Sequence, residues 1–93
     1  MNEKYIEQKL RLAVKAAGGL ALKFVSLGFN GVPDRILLMP DGHIAFAELK
    51  APGKKMRPLQ ERRKRQLESL GFNVYLIDSP EQIGGMIDEI QRT

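Results

Sequence analysis

Three charged residues in the middle of the chain have types and a spacing that suit a metal-dependent site. Asp34 follows a proline, and Glu48 and Lys50 stand two positions apart near the end of an apolar run. Hard ions such as Mg²⁺ bind one or two carboxylates, a backbone carbonyl and several waters, which leaves room for phosphate oxygens of a substrate. A lysine beside such an ion could orient or deprotonate a metal-bound water. These residues form a site only if the fold brings them together.

The segment that must position these residues, Gly31 to Lys50, is typical of a β-hairpin. Its two apolar runs are separated by Pro-Asp-Gly at 40–42. This sequence suits a three-residue loop in which Pro and Asp form a type I turn and Gly is left-handed. Such a loop fixes the residues that lie opposite each other, namely Met39 and His43, Leu38 and Ile44, Ile36 and Phe46, and Asp34 and Glu48. A two-residue turn would send Asp34 to the opposite face.

The predicted register creates an electrostatic problem that a cation would solve. Carboxylates directly opposite each other destabilise a sheet. Lys50 joins Glu48 on its face because strand side chains alternate, and Leu49 points away. For Asp34 or Glu48 alone, an ordinary hairpin end with solvated charges is the simpler interpretation. The three charges together, in this register, favour a divalent metal site.

The bulk composition indicates one small domain that spans residues 1–93. A chain of 93 residues is large enough for one modest core. It has no cysteine, which excludes disulfides and thiolate metal sites. Its apolar runs are far shorter than the ~20 residues that cross a bilayer, and its N-terminus lacks the basic-then-apolar order of a signal peptide. We therefore expect a soluble cytoplasmic protein with no membrane association.

Positive charge is concentrated in one stretch, residues 50–65, which we call the basic segment. It holds eight of the fifteen basic residues and a single acid, so its net charge is +7 against −3 for the remainder. A local field of this sign attracts polyanions, most commonly nucleic acid. Such a run is often merely solvated, but its position directly after the carboxylates favours phosphate contact. The expected DNA-binding residues are Lys54, Lys55, Arg57, Arg62, Arg63, Lys64 and Arg65.

The remaining patterns predict the elements that surround the hairpin. We expect an amphipathic helix over residues 3–17, a strand over 20–25, a helix over 58–70, an interior strand over 72–77 and a last helix opened by a capping box at 79–82. The hairpin strands are apolar on both faces, so helices or a partner chain should cover both. Gly84 and Gly85 lie inside the last helix, which suggests close packing against the sheet or a second subunit.

Two polar residues on the predicted helices could add to the site. Glu7 lies beside the apolar stripe of the first helix and could reach toward whatever that helix covers. A solvated carboxylate near Arg11 is the simpler interpretation. Gln60 falls in the first turn of the helix that starts at Pro58, where it could bond a phosphate or a bound water. A surface glutamine at a helix start is equally ordinary, and the sequence leaves both alternatives open.

These motifs, taken together, resemble a known nuclease superfamily. The element order α-β-β-β-α-β-α, with Pro33-Asp34 on one strand and Glu48-Leu49-Lys50 on the next, resembles the PD-(D/E)xK nucleases. More narrowly, the chain is similar to the stand-alone VRR-NUC domain of phages and bacteria, in Gly-Val-Pro-Asp at 31–34, Glu-Leu-Lys-Ala-Pro-Gly at 48–53, Arg-Pro-Leu-Gln at 57–60 and an early Glu7. The resemblance implies an α/β fold with a restriction-endonuclease-like core, in which helices flank a mixed sheet.

The resemblance also implies an activity, the cleavage of DNA phosphodiester bonds with Mg²⁺ or Mn²⁺. It assigns metal binding to Asp34, Glu48 and the carbonyl of Leu49, and it gives Lys50 the task of positioning or activating the attacking water. In the same scheme Glu7 holds a metal-bound water, and Gln60 supports the geometry of the substrate or the metal.

The resemblance extends to the substrate, although other possibilities stay open. Compact stand-alone members resemble structure-specific endonucleases that act as homodimers on branched DNA such as four-way (Holliday) junctions, since symmetrical cutting requires two identical sites. A flap, single-strand or sequence-specific nuclease would use the same chemistry. A non-catalytic nucleic-acid-binding module would need only the basic segment.

Overall fold

The computed structural model describes residues 1–92, and its elements follow the predicted order. They are α1 (Glu3–Ala16), β1 (Leu20–Lys23), β2 (Arg35–Met39), β3 (His43–Leu49), α2 (Pro58–Ser69), β4 (Asn73–Ile77) and α3 (Glu81–Arg92). A 3-10 turn, Pro40–Gly42, joins β2 to β3. β1 ends at Lys23, short of the predicted residue 25. No helix in the described range is long and apolar enough to cross a membrane.

The four strands form one mixed sheet in the order β1-β2-β3-β4. The first three are antiparallel, and β4 runs parallel to β3. The predicted interior position of β4 is therefore wrong, because β4 lies at an edge of the sheet. Its continuous apolar run has another cause. A parallel strand is reached through a helical crossover, so α2 and α3 accompany β4 and bury Val74 and Ile77.

The β2–β3 hairpin has the register that a three-residue loop predicts. The observed pairs are Met39–His43, Leu38–Ile44, Leu37–Ala45, Ile36–Phe46 and Arg35–Ala47. The turn itself differs from the prediction, because Asp41 has φ 66° and is left-handed like Gly42, which a type I turn does not allow. Aspartate tolerates this conformation because its short side chain can hydrogen-bond locally. The length of the loop, rather than its turn type, sets the register.

One face of the sheet forms the hydrophobic core with α1 and α3. The buried side chains come from alternate strand positions and from helix positions three and four apart, as the amphipathic patterns predict. They are Ile6, Leu10 and Val14 of α1, Leu37, Met39, Ala45, Ala47 and Leu49 of the hairpin, Ile77 of β4, and Ile83, Met86, Ile87 and Ile90 of α3. This core therefore buries only one of the two faces of the hairpin.

The opposite face of the sheet is covered only in part. α2 lies against β4 on this side, and the ring of Phe46 packs between those of Phe24 and Phe72, with centroid distances of 5.6 and 5.7 Å. Farther from α2, three large apolar side chains of this face, the open face, are about half exposed: Leu20, Leu22 and Ile44. The expectation that helices or a partner chain cover both faces of the hairpin is therefore met on the core face, while on the open face α2 contacts β4 and leaves Ile44 of β3 about half exposed.

The glycine pair of α3 does not pack against the sheet. A Cβ built at Gly84 or Gly85 would meet no atom of the described residues within 4 Å. The expectation of close packing on the sheet is therefore wrong, because these positions face away from the buried stripe of α3. Gly31 is different, since a Cβ there would lie 2.7 Å from Leu59 at the start of α2. Its φ of 85° is also one that glycine tolerates best.

Candidate active site

The start of β2 and the end of β3 bring the two predicted carboxylates together. The last ladder pair is Arg35 with Ala47, so Asp34 and Glu48 are the next residues beyond it. The N–H of Asp34 donates a hydrogen bond to Glu48 Oε1 at 3.2 Å, and the N–H of Leu49 donates to Asp34 Oδ2 at 2.9 Å. These reciprocal bonds hold both acidic side chains on one face, as the register predicts.

The second carboxylate oxygen of Glu48 is buried without a hydrogen-bond donor. Glu48 is 1% exposed, and its Oε2 accepts no hydrogen bond within the described chain. The ammonium of Lys50 lies 3.6 Å from this atom, which is ion-pair range but too long for a good hydrogen bond. Burial, followed by the hydrogen bond and negative charge of Asp34, raises the pKa of Glu48 to about 7, against the opposing charge of Lys50. A further cation at Oε2 would favour the ionised form.

The oxygen donors present at this site fit a hard divalent cation. Asp34 and Glu48 supply carboxylates, and the backbone of Leu49 lies between Glu48 and Lys50 while its side chain is buried in the core. Residues 1–92 contain no group of three or more His, Cys, Asp or Glu side chains that could hold a metal. An ion here would take its remaining oxygens from water or substrate. Mg²⁺ binds in this way, whereas Zn²⁺ favours nitrogen and sulfur.

Glu7 reaches the start of β2 from the other face of the sheet. Its Oε2 lies 3.0 Å from Arg35 Nε and 2.9 Å from Arg35 Nη2, so the interpretation that pairs Glu7 with Arg11 is wrong. Arg35 is 7% exposed, and its Nη1 donates to the carbonyl of Ala21. Because successive strand residues point to opposite faces, Arg35 turns toward α1 and Asp34 away from it. Sequence analysis missed Arg35, although a charged residue inside an apolar strand was the available signal.

Gln60 caps the start of α2, a contact that neither of its two sequence-based interpretations specified. Its Oε1 accepts a hydrogen bond from the backbone N–H of Arg57 at 2.9 Å. This contact stabilises the start of α2 by satisfying a backbone donor that has no partner within the helix. Gln60 is half-buried and lies in the first turn of α2, within the basic segment.

The structure divides the basic segment into cations that are engaged within the protein and cations that face outward. Arg63 donates to the carbonyl of Asn30 at 2.7 Å, bonds Gln66 and stacks 3.8 Å above the ring of Phe29. Lys64 pairs with Glu68 at 3.0 Å. The exposed members are Lys54, Lys55, Arg57, Arg62 and Arg65. Since Arg63 ties the loop before β2 to α2, it positions the start of the strand that carries Asp34.

Comparisons with known proteins point to one class. No protein-family model matches the chain. A curated protein of Acyrthosiphon pisum secondary endosymbiont phage 1, named "Putative nuclease p44", is 46% identical over 81 residues, which is 87% of each chain. A solved structure named "VRR_NUC domain" superimposes with a TM-score of 0.86 at 30% identity and covers 92% of this chain and 94% of its own.

The fold and the paired carboxylates define an α/β nuclease with a PD-(D/E)xK-like core. The chain belongs to the VRR-NUC family of nucleases. The resemblance that the sequence motifs indicated is confirmed, and it extends over nearly the whole chain.

Proposed function

We propose that this protein is a divalent-metal-dependent endonuclease that hydrolyses phosphodiester bonds of DNA at the Asp34–Glu48 pair. The observation that carries the proposal is the buried Glu48 Oε2, which accepts no hydrogen bond from residues 1–92 and stands beside a second carboxylate. Keeping an incompletely paired charge away from water costs stability, so its presence favours a site built for a cation. Mg²⁺ or Mn²⁺ suits this all-oxygen environment.

The residues of the chain divide the work of hydrolysis. Asp34, Glu48 and the carbonyl of Leu49 would hold the ion, which supplies Lewis acidity at the scissile phosphate when bound. Lys50 carries its ammonium 3.6 Å from Glu48 Oε2, so it would lie beside the ion. There it would position or activate the attacking water and help to counter negative charge that develops on the phosphate.

Glu7 and Gln60 complete the proposed set of catalytic residues in supporting positions. Glu7 contacts Arg35 through Oε2 on the face of the sheet opposite the carboxylate pair, so it would act by positioning the start of β2 and not by holding a water at the ion. Gln60 uses its carbonyl oxygen to cap α2, so its amide nitrogen would meet the substrate. Both residues also fix elements that border the carboxylate pair.

We further propose that the substrate is branched DNA, such as a four-way junction, in a bacterial or phage-infected cytoplasm. The exposed cations of the basic segment suit backbone phosphates, which attract protein irrespective of base sequence. Recognition would then depend on the shape of the DNA, and binding would weaken steeply with salt. Flap, single-strand and sequence-specific cleavage, and binding without cleavage, are the alternatives that a substrate panel separates.

We also propose that the protein forms a homodimer through the open face, since symmetrical cutting would require two identical sites. The half-exposed side chains there, Leu20, Leu22 and Ile44, are all apolar. A two-fold interface brings the same patch of both copies together, so an uncharged patch can pair with itself whereas the basic segment would repel its copy. Packing this face against a second copy would also bury the second apolar face of the hairpin strands.

The activity is tested by incubating a four-way junction, a flap and a plain duplex with Mg²⁺ or with EDTA. The expected result is Mg²⁺-dependent cleavage, fastest on the junction, that is lost in Glu48→Ala and Lys50→Ala. The matched control is Glu81→Ala, which removes an exposed carboxylate of α3 and should cleave as the parent does. Equal cleavage by parent and Glu48→Ala would exclude the site, and binding without any cleavage would favour the non-catalytic module.

Dimerisation is tested separately by sedimentation, with and without bound junction. Leu22→Lys places a charge on the open face and should yield monomers. Leu12→Lys is the control, since Leu12 is 55% exposed on α1 against 44% for Leu22. A parent that stays monomeric on the junction would contradict the dimer and leave the nuclease proposal intact.

A further inference from the structure

A second charged feature lies on the α1 side of the sheet, at the same end of β2 as the carboxylate pair. It is an open cavity of about 550 Å³ between α1 and the ends of β1 and β2. We call it the α1 pocket. The residues of its lining that matter here are Lys4, Tyr5, Glu7, Arg11, Lys23 and Arg35.

The α1 pocket carries an excess of positive charge. Lys23 and Arg35 are directly paired in the β1–β2 ladder, so their side chains point to one face, where like charges destabilise a sheet. Glu7 neutralises Arg35 through the 2.9 Å ion pair. Lys4, Arg11 and Lys23 form no ion pair with any residue in the described range. Three cations of one cavity are thus left without a counter-charge.

The position of the α1 pocket relates it to the DNA that the carboxylates would cut. Arg35 follows Asp34 directly, and the ladder with β1 continues to Asp34, whose carbonyl accepts from Phe24 N–H at 2.9 Å. Adjacent Cα atoms are about 3.8 Å apart, so the α1 pocket and the carboxylate pair are the two sides of one strand end. The basic segment begins at Lys50, directly after the end of β3. It therefore lies on a different border of the carboxylates from the α1 pocket.

The groups in the α1 pocket suit a phosphate better than a neutral ligand. The Nε, Nη1 and Nη2 atoms of Arg35 each contact a protein oxygen, so this guanidinium is held in place and its charge is already offset by Glu7. The longer, exposed side chains of Lys4, Arg11 and Lys23 can turn their donors toward an entering anion. A polyanion that already occupies the neighbouring carboxylate site brings such phosphates with it.

We propose that the α1 pocket binds a backbone phosphate of the substrate DNA other than the scissile one, through Lys4, Arg11 and Lys23. This inference rests on the proposed function and adds a contact to it. The DNA is held on two borders of the carboxylate pair, by the basic segment on one and by the α1 pocket on the other. The scissile phosphate is thereby fixed between two anchoring points.

The test compares two double variants that each remove one arginine and one lysine. Arg11→Gln with Lys23→Gln alters the α1 pocket. Lys15→Gln with Arg92→Gln removes exposed cations near the C-termini of α1 and α3, outside the α1 pocket. Binding to a junction is measured in EDTA over a range of salt, so it needs no cleavage. We expect the pocket variant to bind roughly 10-fold more weakly than parent, with a log–log salt slope shallower by about 1 to 2, and the control variant to match parent.

A second measurement separates DNA contact from chemistry. Bis(p-nitrophenyl) phosphate reaches only the carboxylate site, so with Mn²⁺ the pocket variant should hydrolyse it as fast as parent while cleaving DNA more slowly at subsaturating concentration. Equal DNA binding by parent and the pocket variant overturns the proposal, as does an equal loss in both double variants. Inorganic phosphate could instead stabilise parent, but not the pocket variant, against heat while DNA binding stays unchanged. That result would assign the α1 pocket to free phosphate and would also overturn the proposal. A parent that binds DNA but hydrolyses neither substrate contradicts the proposed function instead.

Discussion

Two buried charged residues, Glu48 of β3 and Arg35 of β2, lie on opposite faces of the sheet and differ in how fully they are paired. On one side Glu48 is 1% exposed and leaves Oε2 without a hydrogen-bond donor. On the other side Arg35 is 7% exposed, and three of its nitrogens meet protein oxygens. Burial is therefore similar, while the completeness of the partners differs. The comparison separates a charge that stabilises the fold from one that awaits a ligand.

The number of partners that a buried charge has indicates whether that charge stabilises the fold or belongs to a functional site. A buried ion with complete partners is a structural element, and removing one partner costs stability. A buried ion with incomplete partners costs stability as it stands, and such groups concentrate at functional sites. Because Glu48 directly follows Ala47, the ladder partner of Arg35 on the neighbouring strand, variants on each side can be compared within the same local structure.

The largest expected effect is the loss of cleavage when the incomplete side is altered. Asp34→Asn or Glu48→Gln removes a charged oxygen ligand and should lower the rate of Mg²⁺-dependent DNA cleavage by about 10³-fold or more. Asp88→Asn, an exposed position on α3, serves as the control and should retain the parent rate. Cleavage rates within a factor of a few of parent for both site variants would contradict the assignment.

Next in size is a loss of stability when the complete side is altered. Arg35→Met removes the donors that bond the Glu7 carboxylate and the Ala21 carbonyl. The loss should lower the free energy of unfolding by about 2–4 kcal/mol. Glu48→Gln should have the opposite sign in metal-free protein at neutral pH, since it removes an incompletely paired charge. Urea denaturation measures both. The comparison breaks down if the two substitutions change stability in the same direction.

The smallest expected effect is a pH dependence of stability in metal-free protein. Because the pKa of Glu48 is raised to about 7, the folded state holds a proton that the unfolded state releases above its ordinary carboxyl pKa. Unfolding then releases a proton, so stability should fall as pH rises from about 4.5 to about 7, by a few kcal/mol at most. Thermal unfolding across this range checks it, and Glu48→Gln should give a flatter profile.

The sequence predicted the carboxylate pair because local rules determine it. The hairpin loop length fixes the register, and the register places Asp34 beside Glu48. Alternation then puts Lys50 on the same face and Leu49 in the core. Each step depends on residues close together in the chain, where turn geometry and strand periodicity hold without knowledge of the remaining fold.

The parts that escaped prediction depend on contacts between distant segments. Glu7 and Arg35 are 28 positions apart, and their pairing follows from the way α1 crosses the sheet. The bond from Arg63 to the carbonyl of Asn30 spans 33 positions. β4 was placed in the interior because its sequence reports burial under helices and not its order in the sheet. Tertiary packing decides each of these points.

The central claim is that Glu48 and Asp34 form a cation site, and calorimetric titration of Mn²⁺ into the protein tests it most directly. We expect Mn²⁺ to bind to parent with release of about one proton at pH 6 and almost none at pH 8, since Glu48, with its pKa raised to about 7, must ionise before it binds metal. We also expect Glu48→Gln to bind far more weakly and to release no such proton. Binding of equal affinity and equal proton release in parent and Glu48→Gln would contradict the claim.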